Sequence, residues 1–216
     1  REKVEMRRIL ENNKICAIMR NVPLEKTISY AEAVYQGGIQ MFEVAMNSGD
    51  GVKQIDMLRR HFGEKAYVGA GTVINIERCK DAKAAGAQFF LTPSVSVVTL
   101  EYCRKNEIPL LPGVLTPTDV AVCLEYGYSV LKLFPAGDMP MGYIKSLKGP
   151  FDGTDYVAVG GVKADNIRNF LDHGFIGVGI GSNLIPKEYA AADAWDKASD
   201  YVRNLVKVTV PPSLSH

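Results

Sequence analysis

The sequence predicts an α/β fold closed into an eight-fold barrel, and three observations carry that expectation. Eight short apolar runs rich in strand-forming residues recur along the chain, each followed by a longer segment. In several of those longer segments the apolar residues fall at helical spacing, the alternation expected of parallel βα units. An open doubly wound sheet alternates in the same way but ordinarily uses five or six strands, so the count, together with the 216-residue length, favours a (β/α)8 TIM barrel. No Pro/Ser-rich or charged linker interrupts the interior, and residues 1–210 are expected to form one barrel domain.

In chain order, the first eleven or so residues, with Val4, Met6, Ile9 and Leu10 apolar, read as an extra N-terminal helix that closes the barrel floor. Strands are expected at 15–19, 41–45, 67–71, 89–92, 110–113, 130–134, 156–159 and 177–180. Helical spacing is clearest at 25–35, 97–105 and 166–173. The pair Pro211 and Pro212 forbids continuing the last helix, and residues 211–216 are expected to be a frayed tail.

Composition excludes several classes of function. With 47% hydrophobic and 23% charged residues and a net charge of +1, the chain suits one large core and carries no polyelectrolyte signal, so nucleic acid is not an expected partner. Cys16, Cys79, Cys103 and Cys123 lie far apart with no C-x-x-C pair, which fits reduced thiols rather than disulfides or zinc. His61, His173 and His216 are scattered, and no metal site is expected. The basic start, Arg1 to Arg8, leads into mixed polar sequence, and no segment is long enough to span a bilayer. The expectation is a soluble, unexported, cytoplasmic protein with no membrane partner.

Chemistry enters with Lys132, set inside the apolar run Val130-Leu131-Lys132-Leu133-Phe134. Desolvation there lowers an amine's pKa and frees a neutral nucleophile, as imine formation with a ketone requires. An edge-strand lysine that snorkels to water is the plainer alternative. Glu43, inside Met41-Phe42-Glu43-Val44-Ala45, repeats the oddity, because burial raises a carboxylate's pKa unless it is paired. The two together suit an acid/base group beside an imine-forming lysine, or else a buried ion pair that only fixes register. In a barrel, catalytic groups gather at the C-terminal ends of the strands. Arg20, Asn47, Ser48, Thr72, Thr92 and Pro93 fall at or just beyond such ends.

Glycines mark the ends of the last two strands, as Val159-Gly160-Gly161-Val162 and Gly177-Val178-Gly179-Ile180-Gly181-Ser182-Asn183. Bare amides in these two loops suit a phosphate, with Ser182 as a further donor. Tight strand-to-helix turns would use the same glycines. The spacing fits neither a dinucleotide fingerprint nor a Walker A loop.

These residues resemble the 2-keto-3-deoxy-6-phosphogluconate and 4-hydroxy-2-oxoglutarate aldolase family, with features of its 2-keto-3-deoxy-6-phosphogalactonate branch. The segments that carry the likeness are Ile18-Met19-Arg20, Phe42-Glu43-Val44, Gly69-Ala70-Gly71-Thr72-Val73, Thr92-Pro93, Pro112-Gly113, Lys132-Leu133-Phe134-Pro135, Gly160-Gly161 and Gly181-Ser182. The resemblance implies a metal-free class I aldolase, usually a homotrimer, that uses no external cofactor beyond the covalent lysine imine. Its substrate would be a small phosphorylated 2-keto-3-deoxy sugar acid.

By the same resemblance Lys132 forms the imine and Glu43 moves protons. Arg20, Asn47, Thr72 and Pro93 would surround the pyruvoyl end, Phe134 would pack on the imine, and Gly160, Gly161, Gly181 and Ser182 would hold the phosphate. Two departures bear on the epimer. Asn47 stands where many members have arginine, and Val159 where a threonine often precedes the glycine pair. Both look more like the galactonate branch, with Arg20 taking the carboxylate. Two other readings compete: a phosphosugar-binding barrel that isomerises or epimerises without an imine, and a non-catalytic sugar-phosphate binding protein.

Overall fold

The computed structural model describes residues 6–210. Helix α1 (Met6–Asn12) leads into β1 (Ile15–Met19), and a 3-10 turn at Leu24–Lys26 runs into α2 (Thr27–Gln36). Next come β2 (Met41–Ala45), α3 (Gly51–Phe62), β3 (Tyr67–Gly71), α4 (Ile76–Ala84), β4 (Phe90–Leu91) and α5 (Val97–Asn106). They are followed by β5 (Leu110–Leu111), β6 (Gly113–Val114), α6 (Pro117–Glu125), β7 (Val130–Leu133) and α7 (Tyr143–Lys148). The chain continues through β8 (Asp155–Val159), α8 (Ile167–Asp172), β9 (Gly177–Ile180), α9 (Lys187–Ala191) and α10 (Trp195–Val208). Cap chemistry starts helices where the sequence provides it. The Asn75 side chain accepts from Arg78 N–H at α4, and Thr116 and Asp119 form a reciprocal capping box at α6 with Pro117 in the first turn.

Every strand pairing is parallel, in the order β5-β4-β3-β2-β1-β9-β8-β7-β6. Among the described residues the sheet has nine strands where eight are expected. The extra one arises inside 110–113, because Pro112 has no N–H and divides that stave into β5, paired with β4, and β6, paired with β7. The halves still close the ring. Lys132 N–H donates to the Pro112 carbonyl at 2.9 Å, and Gly113 N–H donates to the Thr92 hydroxyl at 3.1 Å.

Strands buried on both faces explain why the sequence shows continuous apolar runs instead of alternation. One face packs outward on the helices, with Phe42, Val44, Val68, Leu131 and Val178 among its residues. The other fills the barrel with Cys16, Ile18, Met41, Phe89, Leu91, Leu111, Val130, Val157 and Val159. Gly69 leaves room for that filling, since a Cβ there would meet the Phe89 ring at 2.4 Å. From α1, Met6, Ile9 and Leu10 join the same inner cluster and close the floor, as the sequence predicts. The remainder of that predicted helix, Val4 included, and the 211–216 tail lie outside the described residues.

Among the described residues no helix is long and apolar enough to cross a membrane. The four cysteines are free and buried.

Candidate active site

Side chains two apart on a strand share a face, so the inner parity that places Ile18, Met41, Val130 and Val159 in the lumen also aims Arg20, Glu43, Lys132 and Phe134 there. They meet at the C-terminal mouth, in a cavity of about 260 Å³ also lined by Thr72 and Pro93. Gly160, Gly161, Gly181 and Ser182 form its other wall. A larger cavity of about 430 Å³ lies at the opposite end of the barrel, beside the starts of β5 and β7, away from the buried ionisable pair.

Lys132 is 6% exposed and Glu43 2%. Burial pushes the lysine below its ordinary 10.5, while Glu43 and Cys16 push back and Arg20 adds to the fall. Burial likewise lifts the Glu43 carboxyl above 4.5, against Lys132 and Arg20. Among the described residues the two make no direct ion pair, and Glu43 Oε2 accepts no hydrogen bond. A pair serving only to fix register would be expected to close that contact. The Lys132 ammonium nitrogen lies 5.0 Å from the centroid of the Phe134 ring, which is itself partly exposed in the mouth. Lys132 is therefore not an edge lysine reaching for water.

Glu43 is seated by an absence. A Cβ on Gly71 would fall 1.4 Å from Glu43 Oε1, so only glycine at the end of β3 lets the carboxylate occupy that place. Beside it, Arg20 donates from Nη1 to Asn47 Oδ1 at 3.0 Å and from Nη2 to Thr72 Oγ1 at 3.5 Å. Thr72 sits in the left-handed region at φ 58°, and Arg78 Nη1 donates to its carbonyl at 2.9 Å.

Three polar residues near strand ends are held by protein partners. Asn47 accepts from Arg20 and orients that guanidinium. The Ser48 hydroxyl donates to the Ala45 carbonyl at 2.9 Å and serves the turn after β2. The Thr92 hydroxyl accepts from Gly113 N–H, replacing a ladder bond beside Pro112. Residue-by-residue reading also passed over Arg78, the steric role of Gly71 and the cavity wall supplied by Asn21 and Asn183. The Gly71 signal was present in the run Gly69-Ala70-Gly71-Thr72, but its reason is a contact between strands.

At the far wall Gly160 and Gly161 adopt φ of 89° and 70°, values that side chains rarely take. Gly137, just beyond β7, packs against this turn so closely that a Cβ on Gly161 would lie 3.0 Å from the Gly137 Cα. The amides of Gly161, Val162, Ser182 and Asn183 donate to no other protein group among the described residues.

A parallel barrel with a buried amine and a buried carboxylate at its mouth, under loops of free amides, defines the class of lysine-dependent barrel aldolases. The comparisons narrow the class. The profile of the KDPG and KHG aldolase family matches residues 6–201, and the chain belongs to that family. It is 29% identical over 186 residues to the 2-dehydro-3-deoxy-phosphogluconate aldolase of Treponema pallidum (strain Nichols), covering 85% of this chain and 87% of that protein. It is also 29% identical over 194 residues to the 2-dehydro-3-deoxy-6-phosphogalactonate aldolase of Escherichia coli (strain K12), covering 89% and 93%. Among solved structures it resembles a KDPG aldolase from Legionella pneumophila, crystallised with pyruvate captured as a covalent carbinolamine intermediate. That match has a TM-score of 0.83 and 29% identity, and covers 92% of this chain and 96% of that one.

Proposed function

We propose that this chain is a class I aldolase that cleaves 2-keto-3-deoxy-6-phosphogluconate, and its galactonate epimer, to pyruvate and glyceraldehyde 3-phosphate. The observation that carries the reading is the buried Lys132 with its lowered pKa, facing Glu43 without pairing to it. The neutral amine adds to the C2 ketone, and protonation of the carbinolamine hydroxyl followed by its loss as water gives an iminium that withdraws electrons from the C3–C4 bond. Glu43, directly or through a water, takes the proton of the C4 hydroxyl. The C3–C4 pair then moves into the iminium, the phosphorylated aldehyde leaves, and a pyruvate enamine remains. Protonation at C3 and hydrolysis release pyruvate and free the lysine.

Arg20, held by Asn47 and by Thr72, suits the substrate carboxylate as a bidentate partner. Thr72 and Pro93 flank the pyruvoyl end, and Phe134 covers the imine. Gly160, Gly161, Gly181 and Ser182 receive the phosphate, which positions the reacting bond from a distance. The reaction needs no cofactor beyond the lysine imine. We place the enzyme in the cytoplasm as a homotrimer.

Incubation with pyruvate and borohydride, followed by peptide mapping, should mark Lys132. Lys132→Arg should remove both labelling and cleavage while the fold survives, because a guanidinium keeps its charge but does not become a neutral amine. Cleavage that persists in this variant, or a label on another residue, would sink the imine assignment.

A further inference from the structure

We propose that Asn183 is a positioning residue that locks the two glycine loops at one spacing for the phosphate end of the substrate; this rests on the phosphate reading above. Three consecutive carbonyls in the loop after β8 are each held from a different part of the fold. Gly137 N–H donates to the Gly160 carbonyl at 2.8 Å, and Asn166 Nδ2 donates to the Gly161 carbonyl at 2.9 Å. Asn183 Nδ2, from the loop after β9, donates to the Val162 carbonyl at 3.1 Å.

Because each peptide is planar and trans, a carbonyl held on one side aims the following N–H to the other. Pinning Gly160 and Gly161 therefore aims the N–H groups of Gly161 and Val162, and neither donates to a protein group among the described residues. The third peptide is pinned at both ends, since its N–H, on Lys163, donates to Asn166 Oδ1 at 2.8 Å. That bond makes the turn a closed unit.

Beyond the last ladder pair, Val159 with Gly179, Asn183 carries the rigidity across to the neighbouring loop. Its side chain forms the one hydrogen bond among the described residues between 160–163 and 181–185. Its own amide and that of Ser182 are also without protein acceptors, and both residues line the cavity. An anion gripped by both sets of amides needs them at a fixed separation. Asn183 sets that separation without touching the reacting bond.

The consequence is a loss confined to phosphorylated substrate. Asn183→Ala should raise KM for 2-keto-3-deoxy-6-phosphogluconate roughly three- to tenfold, the effect of one positioning hydrogen bond, with kcat within about twofold. KM for the unphosphorylated 4-hydroxy-2-oxoglutarate should move by less than about twofold. Asn183→Ser keeps a shorter donor and should recover part of the loss, which also decides the matter if the alanine variant folds poorly.

Proportional losses on the two substrates, or no change on either, would overturn the proposal. Gly161→Val, assayed beside it, separates the two levels of inference. If that variant discriminates between the substrates and Asn183→Ala does not, the latch is wrong and the phosphate site stands. If neither discriminates, the phosphate reading itself falls.

Discussion

Burial acts in opposite directions on Lys132 and Glu43, lowering the amine and raising the acid, and each opposes the other's shift through its own charge. The sign of that coupling gives a test. In its ionised form the Glu43 carboxylate favours the lysine's charged form, so Glu43→Gln should let desolvation lower Lys132 further. The pH at which pyruvate labelling reaches half its maximal rate should then move down. In the same variant, exchange of the pyruvate methyl protons should slow by roughly two to four powers of ten while labelling persists. Undiminished exchange would mean that another group carries the proton. Asn47 bears on substrate choice. A neutral amide that orients Arg20 adds no charged fork of its own beside the C4 hydroxyl, so relaxed selectivity is expected. The purified gluconate and galactonate epimers, assayed in parallel, should both be cleaved at measurable rates. Strong exclusion of either would show that pocket shape governs the choice.

Between elements, the decisive contact joins β2 and β3, whose register places Glu43 opposite Gly69 and Ala45 opposite Gly71. Gly71→Ala puts a methyl where Glu43 Oε1 now sits, so the carboxylate must leave its place. The variant should behave like Glu43→Gln, labelled by pyruvate yet slow in proton exchange. If exchange stays at the parent rate, the carboxylate's position does not matter to the proton step. Strand positions were legible in the sequence because a two-sided burial requirement writes continuous apolar runs. The division at Pro112 was less so: a proline inside a run signals a missing donor, but which group compensates depends on Thr92, on the neighbouring stave after β4 and far away in the chain. The partners of Ser48 and Thr92 are hidden from the sequence for the same reason. Polar residues near strand ends serve turns and ladders as readily as substrates, and only their partners tell which.

For the molecule as a whole, the barrel leaves Ile74 and Ile76, at the start of α4, and Val97 and Val98, at the start of α5, exposed as large apolar side chains. Helices α4 and α5 are neighbours in the fold, so these side chains together form apolar surface that the proposed homotrimer would be expected to cover. Light scattering should give three times the mass of the 23.6 kDa chain, and Val98→Lys with Ile76→Lys should lower it. A parent protein that stays at the mass of one chain would remove the assembly from the proposal.

The sequence by itself determined the alternation of strands and helices, the parity that turns Arg20, Glu43, Lys132 and Phe134 to one face, and the misplacement of two ionisable groups in apolar runs. Each of these is a local pattern, fixed by strand geometry and by the desolvation of charge. The tertiary structure alone decided that Glu43 Oε2 accepts no hydrogen bond among the described residues, that Gly71 makes room for the carboxylate, that Asn47 serves Arg20, and that Asn183 ties two loops together. These are contacts between residues far apart in the chain. Closure of the ring sets their distances, and no periodicity along a single strand encodes them.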